Sequence, residues 1–156
     1  MTDKNTCEMP DANPPSEEIA GILNGAKTIA VVGLSDNPER DSYRVAKYLK
    51  EHGFRVIPVN PGKKEILGET CYPDLGSVPE KIDVVDIFRT VDAIPGIVDE
   101  AIRIGAKAVW MQLGLAHNVS AGKARAAGLK VVQAKCIKIE HSRLSGTGGG
   151  ISFNVQ

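Results

Sequence analysis

The sequence predicts a doubly wound α/β fold, a five-stranded parallel sheet (Rossmann-like) with helices on both faces. Three observations lead there. Short apolar, β-branched runs recur at 28–33, 54–59, 82–88, 108–113 and 129–132. Runs of this kind suit parallel strands buried on both faces, where no polar alternation is needed. Between most of them, apolar residues fall at helical spacing, and glycines close the stretches. Right-handed crossovers then wind helices onto both faces, and the expected strand order is 3-2-1-4-5 with 82–88 counted third.

Each element has its own local signal. Ser16 caps a short first helix carrying Ile19, Ile22 and Leu23, and Gly25 stops it. Val45, Ala46, Tyr48, Leu49 and His52 mark the second helix, closed by Gly53. Pro58 has no N–H, so it is predicted at a strand end or a break in pairing. Asp92 caps the next helix, with Pro95 in its first turn and Ile94, Ile97, Val98, Ala101 and Ile102 inward. Asn118 caps another, with Ala121, Ala124 and Ala127 before the stop at Gly128. Residues 1–15, which hold three of the nine prolines, read as a flexible arm. The folded domain is expected over 16–144 and a flexible glycine-rich tail over 145–156.

A chain of 156 residues fits one domain. Hydrophobic residues at 42% and charged residues at 24% are ordinary for a globular protein. Lys and Arg number 19, as do Asp and Glu, and aromatics are 4%, so the basic and aromatic signature of a nucleic-acid binder is absent. The apolar runs are far shorter than the ~20 residues of a membrane span. No secretory signal opens the chain, and the expected location is the cytoplasm. Cys7, Cys71 and Cys136 are odd in number and far apart, which suggests neither a disulfide framework nor a metal site.

Ligands of such sheets bind beyond the carboxyl ends of the strands, so the loops there are the informative ones. After the first strand, Gly33 lets the chain turn sharply, and the helix beginning near Ser42 offers N–H groups suited to phosphate. A dinucleotide fingerprint requires glycine at 33, 35 and 38; the chain has Gly33, Ser35 and Pro38. After the second strand, an NAD site needs an acid for the ribose hydroxyls. Asn60-Pro61-Gly62-Lys63-Lys64 stands there instead, a basic turn suited to a ribose phosphate. Phe88 and Arg89 end the third strand, and Gln112 follows the apolar run of the fourth.

These residues carry a specific resemblance. Val32-Gly33-Leu34-Ser35-Asp36-Asn37-Pro38, Ser42-Tyr43-Arg44-Val45, Ile57-Pro58-Val59-Asn60-Pro61, Asp86-Ile87-Phe88-Arg89, Trp110-Met111-Gln112-Leu113-Gly114 and Cys136-Ile137-Lys138-Ile139-Glu140-His141 closely resemble the small CoA-binding-domain proteins of bacteria and archaea. That family is similar to the CoA-binding domain of the succinyl-CoA synthetase α-subunit. The resemblance implies coenzyme A contacts from Gly33, Ser35, Tyr43 and Arg44, from Lys63 in its Pro-Gly-Lys turn, and from Met111, Gln112 and Leu113. On this reading Ser42 opens the helix that holds the pyrophosphate, and Arg44 assists. Lys63, with Lys64 beside it, meets the 3′-phosphate; Pro58 and Val59 border the adenine; Phe88, Arg89 and Gln112 border the pantetheine path.

The synthetase carries a phosphohistidine in a second domain that this chain lacks, so the resemblance implies binding of CoA or acyl-CoA without ligase chemistry. No catalytic residue is assigned. His52 suits a helix end, His117 is a weak acid–base candidate, and His141 belongs to the terminal pattern. Cys71 has no neighbouring cation in sequence, whereas Cys136 lies near Lys135 and Lys138. The alternatives are a CoA-binding component of an acyl-CoA ligase or transferase complex, with a protein partner, and an NAD(P)-binding oxidoreductase. The basic turn separates the last from the others: CoA is expected to bind more tightly than NAD in calorimetry at one salt concentration. An NAD affinity equal to that of CoA removes the CoA reading.

Overall fold

The computed structural model describes residues 8–145. Its seven strands are β1 (Thr28–Val32), β2 (Arg55–Val59), β3 (Glu65–Ile66), β4 (Glu69–Thr70), β5 (Val84–Ile87), β6 (Ala108–Met111) and β7 (Lys130–Val132). The helices are α1 (Ser16–Gly25), α2 (Asp41–Glu51), α3 (Ile94–Arg103), α4 (Asn118–Ala126) and α5 (Ile137–Ser145). Five strands form a parallel sheet in the order β2-β1-β5-β6-β7. The Rossmann-like α/β architecture expected from the alternation is therefore present.

One segment of that order sits elsewhere than expected. Beyond β2, Tyr72 makes a one-residue parallel bridge to Val59. Its N–H donates to Pro58 O (3.0 Å) and its carbonyl accepts from Asn60 N (2.8 Å). With Tyr72 in third position the sheet reads 3-2-1-4-5, and β7 extends it by one. The segment 82–88, counted third from the sequence, instead follows the crossover and pairs with β1 as β5. The third strand is this single bridge. Pro58 faces this outer edge, and its missing N–H interrupts no bond to β1.

Alternation along the strands sends side chains into two cores. Ala30, Val32, Val85, Ile87, Val109 and Met111 pack under α3 and α4. Ile29, Val31, Val56, Val84, Trp110 and Val132 pack under α1, α2 and α5. α5 escaped the sequence reading because its start carries no capping residue of its own. The cap comes from across the sheet: Gln112 Oε1 accepts from Ile137 N (3.1 Å). The β3–β4 hairpin was equally hidden. It turns through Leu67 and Gly68, both at positive φ (56° and 73°), as a two-residue hairpin requires. Lys50 Nζ donates to Leu67 O (2.6 Å) and holds that turn.

Three expected caps differ. Pro15 and Ala93 precede α1 and α3 without side-chain caps, and His117 rather than Asn118 caps α4. Asn118 instead accepts from Asp11 N (2.8 Å) and donates to Met9 O (2.9 Å). Asn13 adds two bonds to the backbone of Gln133. The described part of the expected N-terminal arm is thus tied to α4 and the end of β7. Residues 1–7 and the glycine-rich 146–156 lie outside the described residues. His52 ends α2, stacks on Tyr48 at 3.9 Å, and meets His141 edge-on at 5.6 Å.

Asp86 stands in the middle of β5, between Val31 and Trp110 on the neighbouring strands. It is fully buried, and neither carboxyl oxygen has a hydrogen-bond partner. Burial holds its carboxyl well above the usual carboxylate range. Titration of the raised carboxyl adds no cost below its ordinary pKa of 3.8, and the added cost grows as pH rises from there. Asp86→Val is therefore expected to raise the unfolding free energy at neutral pH by about 1–3 kcal/mol, the desolvation cost of an unsatisfied polar group. The gain in urea unfolding is expected to shrink as pH is lowered toward 4. A loss of stability at neutral pH would show that the carboxyl has a partner.

Candidate functional site

The carboxyl ends of β1, β2 and β5 converge at one end of the sheet. The chain leaves β1 through Gly33, at φ +88°. A Cβ there would overlap the carbonyl oxygen of Phe88 and lie 2.7 Å from Arg89 Cδ. Polar groups then fold the loop: Ser42 Oγ accepts from Ser35 N (3.0 Å), and Ser35 Oγ accepts from Asn37 N (3.0 Å). Asn37 Oδ1 accepts in turn from Glu39 N (3.0 Å). These are local Ser and Asn turns, which compete well with regular structure. They deliver the chain to the start of α2.

No side chain caps α2; Arg40, in extended conformation, precedes it. The first intrahelical bond is Arg44 N to Arg40 O (3.2 Å), so the N–H groups of Asp41, Ser42 and Tyr43 lack intrahelical acceptors. They open into a cavity of about 550 Å³ lined by Gly33, Ser35, Glu39, Arg40, Asp41, Ser42 and Phe88. Exposed helix N–H groups and the positive end of the helix dipole suit a phosphate. Arg40 and Arg89 make no ion pair among the described residues, whereas Arg44 is engaged. Its guanidinium meets Asp41 Oδ1 (2.9 Å) and donates to Glu39 O (2.7 Å).

The loop after β2 is fastened to the first. Asn60 Nδ2 donates to Leu34 O (2.9 Å), and its Oδ1 accepts from Gly62 N (2.9 Å). Lys63 Nζ lies 3.0 Å from Asp36 Oδ2, and Lys64 is exposed without an ion pair among the described residues. Pro58 and Val59 are buried in β2. Met111 is sealed in the core, so its side chain lines no open surface. Leu113 is 69% exposed at the tip of a turn closed by Leu115 N and Gln112 O (2.8 Å).

The cavity thus unites Gly33, Ser35, Ser42 and Phe88. Lys63, paired with Asp36, and Arg89, next to Phe88, stand outside its lining. Tyr43 is half-buried against the second core. Gln112, expected to bind either backbone or ligand, caps α5 with its oxygen. Arg40 was missed by the sequence reading, although it directly precedes the helix start that Ser42 marks. Two other candidates are engaged structurally. His117 Nδ1 accepts from Ser120 N (3.2 Å), and burial pushes the Cys71 thiol up while its Sγ faces Asn60 O at 3.5 Å.

A larger cavity, about 690 Å³, lies at the opposite end of the sheet, beside Asp83, Lys107 and Lys130. Its charges are paired there, Lys107 with Asp83 at 3.5 Å and Lys130 with Glu18 at 3.6 Å. It has no uncapped helix start, so the smaller cavity is the better anion site. Among the described residues no helix is long and apolar enough to cross a membrane, and no group of three metal-ligating side chains forms.

Fold and site together define a Rossmann-like α/β domain with a polar cavity at the switch point. The chain belongs to the CoA binding domain family, whose model matches residues 27–142. It is 38% identical over 130 residues to the uncharacterized protein YneT of Bacillus subtilis, covering 83% of this chain and 96% of that one. A hypothetical protein from Pyrococcus horikoshii superposes with a TM-score of 0.84 at 44% identity, covering 89% of this chain and 98% of the other. ADP-forming acetate–CoA ligase II of Archaeoglobus fulgidus is 29% identical over 99 residues, 62% of this chain but 15% of the ligase.

Gly33→Ala tests the close approach on which the site rests. Left-handed backbone costs a non-glycine residue about 1–2 kcal/mol, and overpacking typically costs about 1–3 kcal/mol. A loss of about 2–4 kcal/mol in denaturant unfolding is expected. An unchanged midpoint would mean that the loop shifts without cost.

Proposed function

We propose that this protein binds coenzyme A or an acyl-CoA at the carboxyl ends of its strands, as a carrier or sensor module. The observation that carries the reading is the uncapped start of α2, opening into a cavity beside Arg40, in a chain of the CoA binding domain family. On this reading the pyrophosphate accepts from the N–H groups of Ser42 and Tyr43, with the Ser35 and Ser42 hydroxyls and Arg40 nearby. Lys63, with Lys64, serves the 3′-phosphate. Pro58 and Val59 border the adenine, while Phe88 and Arg89 border the start of the pantetheine arm. Bound coenzyme A supplies a thiol that carries acyl groups as thioesters; the residues of this chain bind and orient it.

A second reading, a CoA-binding component of an acyl-CoA ligase complex, is favoured by the matches to ADP-forming acetate–CoA ligases. Its test is a protein that co-purifies with the chain. An NAD(P) oxidoreductase is the poorest fit, since Ser35, Pro38 and the basic turn replace the glycines and the acid such a site uses.

The phosphate assignment is tested by Lys63→Ala. A hydrogen bond to a charged group contributes ~1.5–3 kcal/mol, and half-exposed Lys63 belongs at the low end, roughly tenfold in affinity. Calorimetry is expected to show that loss for CoA and almost none for dephospho-CoA, which lacks only the 3′-phosphate. Equal losses for both ligands would assign Lys63 to loop conformation instead.

A further inference from the structure

Asp36 occupies the cation that the preceding reading assigns to a phosphate. Its Oδ2 lies 3.0 Å from Lys63 Nζ, across the gap between the loops that follow β1 and β2. This is more than two long side chains meeting in solvent. Asn60 bonds Leu34 O in the first loop and Gly62 N in the second, and accepts from Lys63 N at its own carbonyl (3.3 Å). Both loops are therefore anchored before the ion pair forms, and the aspartate and lysine are presented to each other. Yet the side chains are 45% and 51% exposed, so the pair is screened and readily exchanged.

A phosphate monoester carries about −1.5 to −2 charge at neutral pH and three strong acceptor oxygens, against one charge on a carboxylate. It can displace Asp36 from Lys63, but only by overcoming the pairing already there. Asn60 remains to hold the loops when the carboxylate swings out.

The geometry points to Asp36 as a resident counter-ion that competes with the ligand's ribose phosphate for Lys63 and so limits how strongly the site prefers CoA over dephospho-CoA. The inference rests on the reading of Lys63 as the phosphate ligand. It makes Asp36 a specificity-determining residue that acts through Lys63, without itself touching the ligand. Removing the acid leaves the lysine charge uncompensated, and the gain falls on the one phosphate that Lys63 meets.

The test is calorimetry of CoA and dephospho-CoA with the wild type, Asp36→Asn, Lys63→Ala and the double variant, after melting curves have checked folding. Asp36→Asn is expected to tighten CoA about two- to fivefold, the range of an exposed ion pair. Dephospho-CoA is expected to bind unchanged. In the Lys63→Ala background the Asp36→Asn gain is expected to vanish. A general effect of one lost negative charge would tighten both ligands and persist without Lys63, and either result overturns the inference. If Lys63→Ala is selective for CoA but Asp36→Asn changes nothing, the counter-ion role alone fails. If Lys63→Ala weakens both ligands alike, the reading of Lys63 fails and the inference goes with it.

Discussion

The site depends on how closely the chain leaving β1 passes the end of β5. Phe88 N donates to Val32 O (2.8 Å), and Gly33 N donates to Val59 O (2.9 Å). The ladder thus continues one residue past the strands on both sides of β1, and the chain is released only at Gly33. There it lies so near the Phe88 carbonyl that nothing larger than hydrogen fits. The next helix, α2, packs on one face of the sheet, whereas α3, which follows β5, packs on the other. The crevice between β1 and β5 is therefore the switch point at which such sheets bind ligands. The cavity beside α2 is a consequence of this winding, and the polar loop only shapes it.

With as many acidic as basic residues, the chain has no net charge to draw an anion from a distance. Recognition has to come from local geometry. Two of the cations near the site are balanced internally, Arg44 by Asp41 and Lys63 by Asp36. Arg40, Arg89 and Lys64 have no such partner among the described residues. Arg40 directly precedes the uncapped helix start and lines the cavity there. The paired lysine stands farther out, at the mouth between the two loops. On the proposed reading the inner contacts fix the ligand, and the outer pair tunes its selectivity.

Features decided by neighbours in sequence were legible. The β-branched runs became strands, Gly33 is at positive φ, and Pro58 sits where a missing N–H breaks no pairing with β1. Features decided by distant residues were not. The start of α5 is capped by Gln112 from another element, so the sequence near Ile137 carries no signal for it. Asn118 looked like a cap, but its side chain is bonded to the N-terminal segment and His117 took the capping role. Tyr72 stands in the third strand position as a single bridge to Val59, a one-residue feature invisible to periodicity. Arg44 was the evident cation of α2 by residue type. The side chain beside the cavity belongs to Arg40, and only the position of the helix start distinguishes the two.

The cavity draws on the loop after β1, the start of α2 and the residue after β5, all within the stretch that matches the family model. On the proposed reading, the contacts to the ligand all come from this stretch. Group transfer on its thiol is a different requirement, because it needs reacting side chains where the arm ends. Of the candidates in the sequence, His117 caps α4 and Cys71 is buried against Asn60, while Cys136 is a half-buried free thiol. Gln112 is held by α5. The same division runs through the relatives, since the chain matches nearly all of YneT but 15% of an acetate–CoA ligase. In the ligase, whatever else the reaction requires has the remaining length of chain to come from. On the proposed reading, binding falls to this one end of the sheet.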